Sequence, residues 1–301
     1  MMTGIYDNVV AQNSGNDGEI YYRYAKHELA FTACWRNFLG KASYSTFLGK
    51  GAGLTYNLSD GTTHSNYTLG LAADYTYNIS NHFGLVSGVG IINYGGKAAG
   101  NFSDEYLTFD IRGDELTYSY KIEEYKEQQS LTMIMIPLMA KYSSKPFGEI
   151  EMRYFVAGGM KFGIPFGDKT EISASTLTTT GHYEFEDELY DDLPQHGFVT
   201  GLKDVSEKSQ TAFKFSVIAS IEAGLRVRDK ERMDAMVSLY CDFGLQNMKQ
   251  DDRHLVEFNW QNPEKPHFNS IKTTGRVNMV RIASAGLKIG IILNWYKKDS
   301  K

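Results

Sequence analysis

The sequence predicts an all-β fold, an eight-stranded antiparallel up-and-down transmembrane β-barrel with long loops at one end. The clearest of three observations behind this prediction is a strict alternation of apolar and polar residues from Ala212 to Val227, AFKFSVIASIEAGLRV. Successive side chains of a strand point to opposite faces, so this segment is one long strand between two different environments. Soluble strands usually run about five or six residues, whereas a tilted strand that crosses a bilayer needs about nine to eleven.

The second observation is the composition. The 301 residues include 20 Tyr, 17 Phe and 29 Gly but only 6 Pro. Aromatic residues suit pleated surfaces, and Gly permits bends and close approach of backbones. No stretch of about eighteen apolar residues is present, which excludes a transmembrane α-helix. The formal net charge of -5, without a block of Lys and Arg, argues against a nucleic-acid partner.

The same alternation recurs along the chain, first in its N-terminal third. Residues 51–58 alternate small or polar side chains with apolar ones. Residues 67–78 and 83–94 do so on both sides of a tight turn at 79–82. Two alternating segments around a short turn predict a hairpin.

Four further segments lie in the rest of the chain. Residues 131–142 are a weaker candidate, because both faces are apolar and Pro137 cannot donate a ladder hydrogen bond. Residues 149–163 follow after a short turn. The alternating strand from Ala212 to Val227 leads through a charged turn into residues 233–245, and residues 281–296 complete the set. With the opening strand, these segments predict eight strands.

The third observation is that short connections alternate with long ones. The hairpin turns after the second, fourth and sixth strands are short, whereas the connections after the third, fifth and seventh are long. In an up-and-down barrel every second connection lies at the same end, so the long ones gather at one mouth. The predicted long loops are residues 95–129, 164–211 and 248–279.

The two faces of the strands predict which side meets lipid. Many Gly residues share one face with charged residues, and small side chains relieve crowding in the narrow lumen of an eight-stranded barrel. Buried charges must be paired, and both signs are present. A soluble lipocalin-like barrel with the apolar face inside is the alternative. The predicted lumen network is Asp74, Lys141, Arg153, Lys161, Glu222, Arg226, Asp242 and Lys288. An aromatic belt near the short turns is predicted from Tyr75, Tyr77, Phe83, Tyr142 and Trp295.

The N-terminal residues 1–47 are predicted to be a periplasmic or irregular segment, and residues 48–301 the barrel domain. Within the first part, HELAFTACWRNF at residues 27–38 is compatible with an extra strand, a periplasmic segment or a lumen insert. An extra strand pair here gives a ten-stranded barrel as the alternative topology. The first residues show neither a basic region nor an apolar one, so no secretory signal is visible.

The sequence carries no pattern typical of catalysis or metal binding. The 7 His residues are scattered without metal-ligand spacing. Cys34 and Cys241 lie far apart and are predicted to be unpaired thiols. An acidic run at residues 184–192 is interpreted as a solvated loop. No catalytic residue, cofactor or metal ion is therefore predicted, and the protein is not expected to be an enzyme.

Several strand pairs resemble a known group of proteins. The segments TLGLAADYTYNISNHFGLVSGVGI, MIPLMAKY, GGMKFGIPF and SAGLKIGIIL are similar to those of outer-membrane β-barrel proteins of the Bacteroidetes, the OmpA/porin-like group. The resemblance covers roughly residues 48 to 296. It implies an eight-stranded barrel in the bacterial outer membrane and carries over no catalytic residues.

The predicted function is a structural or surface-recognition role through the three long loops, with a filled lumen. Expected partners are outer-membrane lipid or lipopolysaccharide, and other outer-membrane proteins or surface glycans. A small-solute channel and a soluble barrel that binds lipid or another small ligand are the alternatives. Aromatic residues supply contact area in binding hot spots, although they can equally pack loops against one another. The contact candidates are Tyr118, Tyr120, Tyr183, Phe185 and Trp260.

Overall fold

The computed structural model is built almost entirely of β-strands. It describes residues 25–36, 53–55, 61–65, 69–148, 150–185, 187–209, 213–230, 233–249, 252–277 and 279–295. The strands in this part of the chain are β1 His27–Arg36, β2 Gly53–Thr55, β3 Gly61–Ser65, β4 Leu69–Asn78, β5 Phe83–Phe109, β6 Glu115–Ser143, β7 Met152–Tyr183, β8 Glu188–Tyr190, β9 Leu202–Ser209, β10 Ser216–Lys230, β11 Met233–Gly244, β12 Val256–Glu257, β13 His267–Phe268 and β14 Arg281–Trp295. Two short 3₁₀ helices, Pro194–His196 and Ile271–Thr273, lie in connections.

Eight of these strands form a closed antiparallel ring. The order is β1, β4, β5, β6, β7, β10, β11 and β14, and β14 pairs back onto β1. Leu29 of β1 lies opposite Tyr75 of β4 on one side and Leu293 of β14 on the other. Closure leaves no unpaired edge in the wall, as a barrel in lipid requires. The predicted eight-stranded antiparallel barrel is confirmed.

The first wall strand differs from the prediction. Residues 27–36 form β1 and pair along both sides, so the barrel does not begin at residue 48. Of the predicted strand 51–58, residues 53–55 pair with the first residues of β14, 281–283. Residues 51, 52 and 56–58 lie outside the described residues. Apolar and polar residues alternate in both segments, but of the two only β1 pairs with both β4 and β14 in the wall. The strand number is therefore right, while the expectation for residues 1–47 is corrected at 27–36.

The short turns all lie at one end of the ring. β4 joins β5 through residues 79–82, and β6 joins β7 through residues 144–151. At the first turn, Ser80 accepts a hydrogen bond from the backbone N–H of Phe83 at 3.0 Å. β10 and β11 are separated by residues 231–232 only. The predicted alternation of short and long connections is confirmed at these hairpins.

Three wall strands continue far beyond the ring. β5, β6 and β7 have 27, 29 and 32 residues, and β3 and β9 pair with the upper parts of β5 and β7. We call this extension the upper sheet. Most of the predicted loop 95–129 and the first part of 164–211 are therefore strands. The alternation of ELTYSYKIEEY continues into this sheet, which explains why the chain stays extended.

One bulge keeps the inner face of β6 continuous. Glu124 has a positive φ of 52°, and the pairing with β5 shifts between Gly100 and Phe102. Buried residues fall at even positions up to Ile122 and at odd positions from Tyr125 onward. A β-bulge inserts one extra residue into one strand, so the side chains below and above it stay on the same face.

Apolar side chains cover the outside of the ring. Exposed examples come from each wall strand: Phe31, Leu71, Ile91, Leu138, Val156, Ile221, Leu239 and Ile289. An apolar surface that surrounds a whole ring is not stable in water, so this band faces lipid. Tyr75, Tyr77, Phe83, Tyr142 and Trp295 are also exposed, at the short-turn end. In the described part of the chain, no helix has the length and hydrophobicity needed to cross a membrane.

The connection from β11 to β14 folds inward. We call residues 245–249, 252–277 and 279–280 the cover segment, because it packs on the inner face of the upper sheet. Its side chains belong to the same buried cluster as those of β5, β6 and β7. The predicted recognition loop 248–279 is therefore largely packed into the core, as the alternative of loop packing allowed. Its most deeply buried apolar residues are Met248, Leu255, Val256, Phe268, Ile271, Val277 and Val280.

The position of β1 in the wall can be tested by substitution at Phe31. This side chain is 52% exposed near the middle of β1, on the lipid-facing side. We expect Phe31→Arg to lower the free energy of unfolding by about 2–4 kcal/mol, because it places a charge in lipid. Urea unfolding in phospholipid vesicles, followed by heat-modifiable gel migration, measures the change.

The matched control is Phe109→Arg, since Phe109 is also 52% exposed but lies at the far end of β5. This change should stay within about 0.5 kcal/mol. Equal effects of the two substitutions would contradict the placement of β1 in the lipid-facing wall.

Candidate functional site

The barrel lumen is lined by side chains that point away from lipid. It leaves a cavity of about 90 Å³, enough for a few water molecules. Small residues such as Ala30, Ala72 and Ala157 line it beside long charged ones. This mixture is expected in a ring of eight strands, whose interior is just wide enough for side chains to fill.

A cluster near the short turns is organised by Glu28. Its carboxylate accepts hydrogen bonds from Lys141 Nζ at 2.6 Å and from Arg226 Nη1 at 2.8 Å. Asn78 Nδ2 donates to the same carboxylate at 2.9 Å. Arg226 also pairs with the carboxylate of Asp234. All five groups are buried, so each charge depends on its partners.

A second cluster lies farther along the lumen around Lys288. Its ammonium group donates to Asp74 Oδ2 at 2.8 Å and to Glu222 Oε2 at 3.2 Å. The other oxygen of Glu222 accepts a hydrogen bond from Ser238 Oγ at 2.6 Å. β14, β4 and β10 are thereby joined across the lumen as well as through the wall.

A third cluster joins β7 to β11. Lys161 Nζ donates to the two oxygens of Asp242 at 2.8 and 3.1 Å. Ser220 Oγ donates to Asp242 at 2.6 Å, and the Lys161 ammonium lies 5.3 Å from the ring centre of Tyr240. The three clusters line the same lumen cavity.

The predicted network is thus placed in one lumen and has further members. Arg153 lines the same cavity and lies opposite Arg226 in the strand register. Glu28 and Asp234 were not in the predicted set, and they supply the carboxylates that pair with Arg226. Asp234 and Asp242 are eight residues apart on β11 and share its inward face, so the orientation of Asp234 was readable from the sequence. Glu28 was missed because β1 was not assigned to the wall.

Apolar residues close the lumen above the third cluster. Ile92, Met133, Met135, Ile218 and Ile282 are buried and belong to the same core as the cover segment. Cys34 belongs to this core as well and lines the lumen, and both it and Cys241 are free thiols, as predicted.

Two charged residues attach the cover segment to the upper sheet. The carboxylate of Glu127 accepts hydrogen bonds from Ser270 Oγ and from the backbone N–H of Ile271, the latter at 2.8 Å. The Lys272 ammonium donates to Asp168 at 3.1 Å and lies 4.4 Å from the ring centre of Phe213. These buried contacts hold the 3₁₀ helix Ile271–Thr273 over the mouth of the barrel.

An aromatic cluster continues this packing upward. Tyr106 stacks on His254 with ring centres 3.8 Å apart, and its hydroxyl accepts a hydrogen bond from the Phe258 N–H at 3.0 Å. Tyr118 contacts both Phe258 and Phe198. The cover segment is therefore fixed along much of the height of the upper sheet.

The predicted contact residues divide into two groups. Tyr118, Tyr120 and Tyr183 are buried, so the expectation that they meet a partner is corrected, and they pack loops against the sheet. Burial raises the pKa of Tyr120 to about 12. Phe185 and Trp260 are 67% and 53% exposed.

The far end of the upper sheet carries a surface of different character, which we call the tip (residues 105–117, 182–185 and 187–192). Asp110 fixes its turn, because its carboxylate accepts hydrogen bonds from the N–H groups of Arg112 at 2.7 Å and Asp114 at 3.0 Å. Tyr183 donates to the same carboxylate at 3.1 Å. Large apolar side chains are nevertheless exposed here: Leu107, Phe109, Ile111, Phe185 and Leu189.

Comparisons with known proteins bear on the fold. Residues 36–250 match the family described as outer membrane protein beta-barrel domain. No curated protein matches the chain. Among solved structures, Neisserial surface protein A is similar with 9% identity and a TM-score of 0.33, covering 89% of this chain and 96% of that one. OprG from Pseudomonas aeruginosa has 10% identity and a TM-score of 0.31, covering 92% and 98%. Ail, the attachment invasion locus protein of Yersinia pestis, has 9% identity and a TM-score of 0.26, covering 89% and 99%.

The central role of Glu28 is open to measurement. We expect Glu28→Gln to lower the free energy of unfolding by about 3–5 kcal/mol, because it leaves Arg226 and Lys141 buried without their shared carboxylate. Glu123→Gln is the control, since it breaks an exposed pair with Lys121 and should cost at most about 1 kcal/mol. Denaturant unfolding in vesicles provides both values, and a cost for Glu28→Gln as small as the control would refute this role.

Proposed function

Because the chain belongs to the outer membrane protein beta-barrel domain family and lies in the bacterial outer membrane, we propose that it is a non-catalytic barrel whose tip recognises a partner at the cell surface. The membrane location excludes the soluble carrier that the sequence left open. The observation that carries the proposal is the tip, an exposed apolar surface surrounded by carboxylates.

Leu107 and Phe109 lie on the outer face of the tip, and Phe185 lies beside Leu107. Phe109 is opposite Glu115 in the register of β5 and β6, and Leu107 is two residues earlier on the same face. Leu107, Leu116 and Phe185 line a shallow depression with Glu115 and Glu184. Leu107 is 63% exposed, whereas Leu116 behind it belongs to the buried core. The exposed side chains are therefore additional to those that stabilise the sheet.

Lipid does not cover this surface. Along β5, Leu107 lies sixteen residues beyond the lipid-facing Ile91, which is roughly 50 Å of extended strand at about 3.3 Å per residue. Even a tilted strand of that length passes well beyond the headgroup region. Contiguous apolar side chains in water commonly mark an interaction site.

The charges around the tip define the partner. Exposed carboxylates surround the apolar residues, and Arg112 is an exposed cation among them. A complementary partner is a protein surface with an apolar centre and a Lys- or Arg-rich rim, since opposite potentials steer association and select partners. Another outer-membrane protein with such a surface fits better than a neutral glycan. The carboxylates are Glu105, Asp114, Glu115, Glu184, Asp187, Glu188, Asp191 and Asp192.

A small-solute channel is supported less well. The remaining cavity is about 90 Å³, and the buried ion clusters and the cover segment lie in line with the barrel axis. A conducting path would require these groups to move together.

We also propose that the chain is one of the OmpA/porin-like barrels of the Bacteroidetes. The support is the resemblance of its strand pairs, such as MIPLMAKY and SAGLKIGIIL, to that group.

Binding at the tip can be tested with a defined probe. The probe is an immobilised octapeptide of alternating Lys and Leu, and the protein is supplied in zwitterionic nanodiscs. We expect binding to weaken with salt, and to weaken at least tenfold in Leu107→Ser/Phe185→Ser, because burying each large apolar side chain contributes about 1.5–3 kcal/mol. Glu115→Gln/Glu184→Gln should reduce the salt dependence.

The controls are empty nanodiscs and Leu202→Ser, an exposed position on β9. Recognition by the tip is refuted if the Leu107/Phe185 variant binds as well as the wild-type protein. Equal binding to an octapeptide of Glu and Leu would refute the proposed charge complementarity.

Conductance separates the proposal from the channel alternative. We expect no steady single-channel current from the wild-type protein in planar bilayers, and none from Lys161→Ala, because the Glu28 cluster still fills the lumen. A co-inserted porin shows that insertion and recording work. Steady current steps from the wild-type protein would favour the channel.

A further inference from the structure

We propose that four lysines on the outer face of the upper sheet bind the phosphate groups of outer-leaflet lipopolysaccharide. We call them the lysine patch, and they are Lys97, Lys126, Lys169 and Lys208. This site is separate from the tip, and the inference does not depend on recognition there. It rests on the register of four neighbouring strands and on their distance from the lipid-facing band.

The strand register places these side chains together. Lys97 of β5 lies opposite Gln128 of β6, Gln128 lies opposite Glu171 of β7, and Glu171 lies opposite Lys208 of β9. Lys126 and Lys169 are each two residues from this row on the same outward face, since alternate residues of a strand share a face. Neighbouring strands are about 4.8 Å apart, so the patch spans roughly 14 Å across the sheet.

The patch begins directly above the lipid-facing band, at Lys169, and its other lysines lie two to four residues higher along the strands. On β7, Lys169 follows the exposed Phe166 by three residues, at most about 10 Å of strand. On β5, the step from Ile91 to Lys97 passes Asn93, whose amide donates to Ser130 at 2.8 Å and Thr132 at 2.9 Å. This polar group marks the change from lipid to headgroups on the outer face. The headgroup region on each side of a bilayer is about 5–8 Å thick, and long lysine stems extend along the surface toward it.

The balance of charge distinguishes this level of the sheet from the levels above it. The patch carries four cations and Glu171, whose carboxylate pairs with Lys169 at 2.9 Å. The hydrogen bond and the charge of Lys169, together with Lys208, lower the pKa of Glu171, as expected in a positive local field. Farther from the membrane, the outer face alternates in sign at Lys121 and Glu123 and becomes acidic at the tip. The excess of positive charge is thus concentrated on the part of the upper sheet nearest the membrane.

Phosphorylated lipid fits this arrangement better than a protein partner. Lysine is a compact cation on a flexible stem and binds phosphate as a point charge, without requiring one fixed geometry. Four such cations, each on a different strand, suit a headgroup with more than one phosphate. Their position just beyond the lipid-facing band makes outer-leaflet lipid the source of the phosphate.

The test compares a triple variant with the wild-type protein. Lys97→Gln/Lys126→Gln/Lys208→Gln removes three cations and keeps Lys169 beside Glu171. Fluorescent lipopolysaccharide is titrated into each folded protein in zwitterionic detergent. Each lysine near an anionic lipid surface contributes roughly fivefold in affinity, so we expect the triple variant to bind on the order of a hundredfold more weakly. Binding to the wild-type protein should also weaken with salt.

Matched controls exclude loss of fold and a general charge effect. Lys121→Gln/Lys145→Gln/Lys203→Gln makes the same change of charge at exposed positions outside the patch and should bind like the wild-type protein. Heat-modifiable migration shows that each variant remains a folded barrel. Unchanged affinity in the patch variant overturns the proposal. So does equal affinity for dephosphorylated lipopolysaccharide, or full displacement by inorganic phosphate at the same phosphate concentration. Peptide binding at the tip is measured separately and is unaffected by these outcomes.

Discussion

The structure depends on one constraint, the lack of hydrogen-bonding groups in the interior of a bilayer. Backbone N–H and C=O groups in lipid must pair within the protein, so a sheet that crosses the membrane must close on itself. β1 provides that closure by pairing with β4 on one side and β14 on the other. Once the ring is closed, the alternation of each strand divides its side chains between lipid and lumen. The apolar band and the ion clusters then follow from the same geometry.

Closure of the ring also separates the lumen, which ion pairs fill, from the upper sheet, which extends beyond the membrane. The lumen has no room for a large solute and is held by ion pairs across the ring, such as Lys288 with Asp74 and Glu222. β5, β6 and β7 carry the fold beyond the membrane, and the cover segment supplies the second layer that their inner face needs. The outer face of these strands stays free of that packing. Its character can therefore change with height, from lysines near the headgroups to carboxylates and apolar side chains at the tip.

Much of this could be predicted from the sequence, and the failures have physical causes. The hairpin of residues 67–78 and 83–94 was predictable because two alternating segments flank a four-residue turn, and β4 and the first part of β5 form it. Alternation gives the faces of a strand but not its neighbours, so it could not decide between residues 27–36 and 51–58 for the wall. For the same reason Glu28 was missed. The burial of Tyr118 depends on the cover segment. That segment has no regular alternation of apolar and polar residues from which its packing could be predicted.

The pairing of β1 with β14 has a consequence for how the protein is made. Phe31 lies opposite Ile291, so the contact that completes the ring joins residues from opposite ends of the chain. Contacts between residues so distant in sequence form slowly, because the entropy of closing a long loop is lost before the contact contributes favourable free energy. Until β14 has been delivered, β1 and β11 are open edges that attract other chains. The arrival of β14 therefore determines how long the assembling sheet needs protection by chaperones.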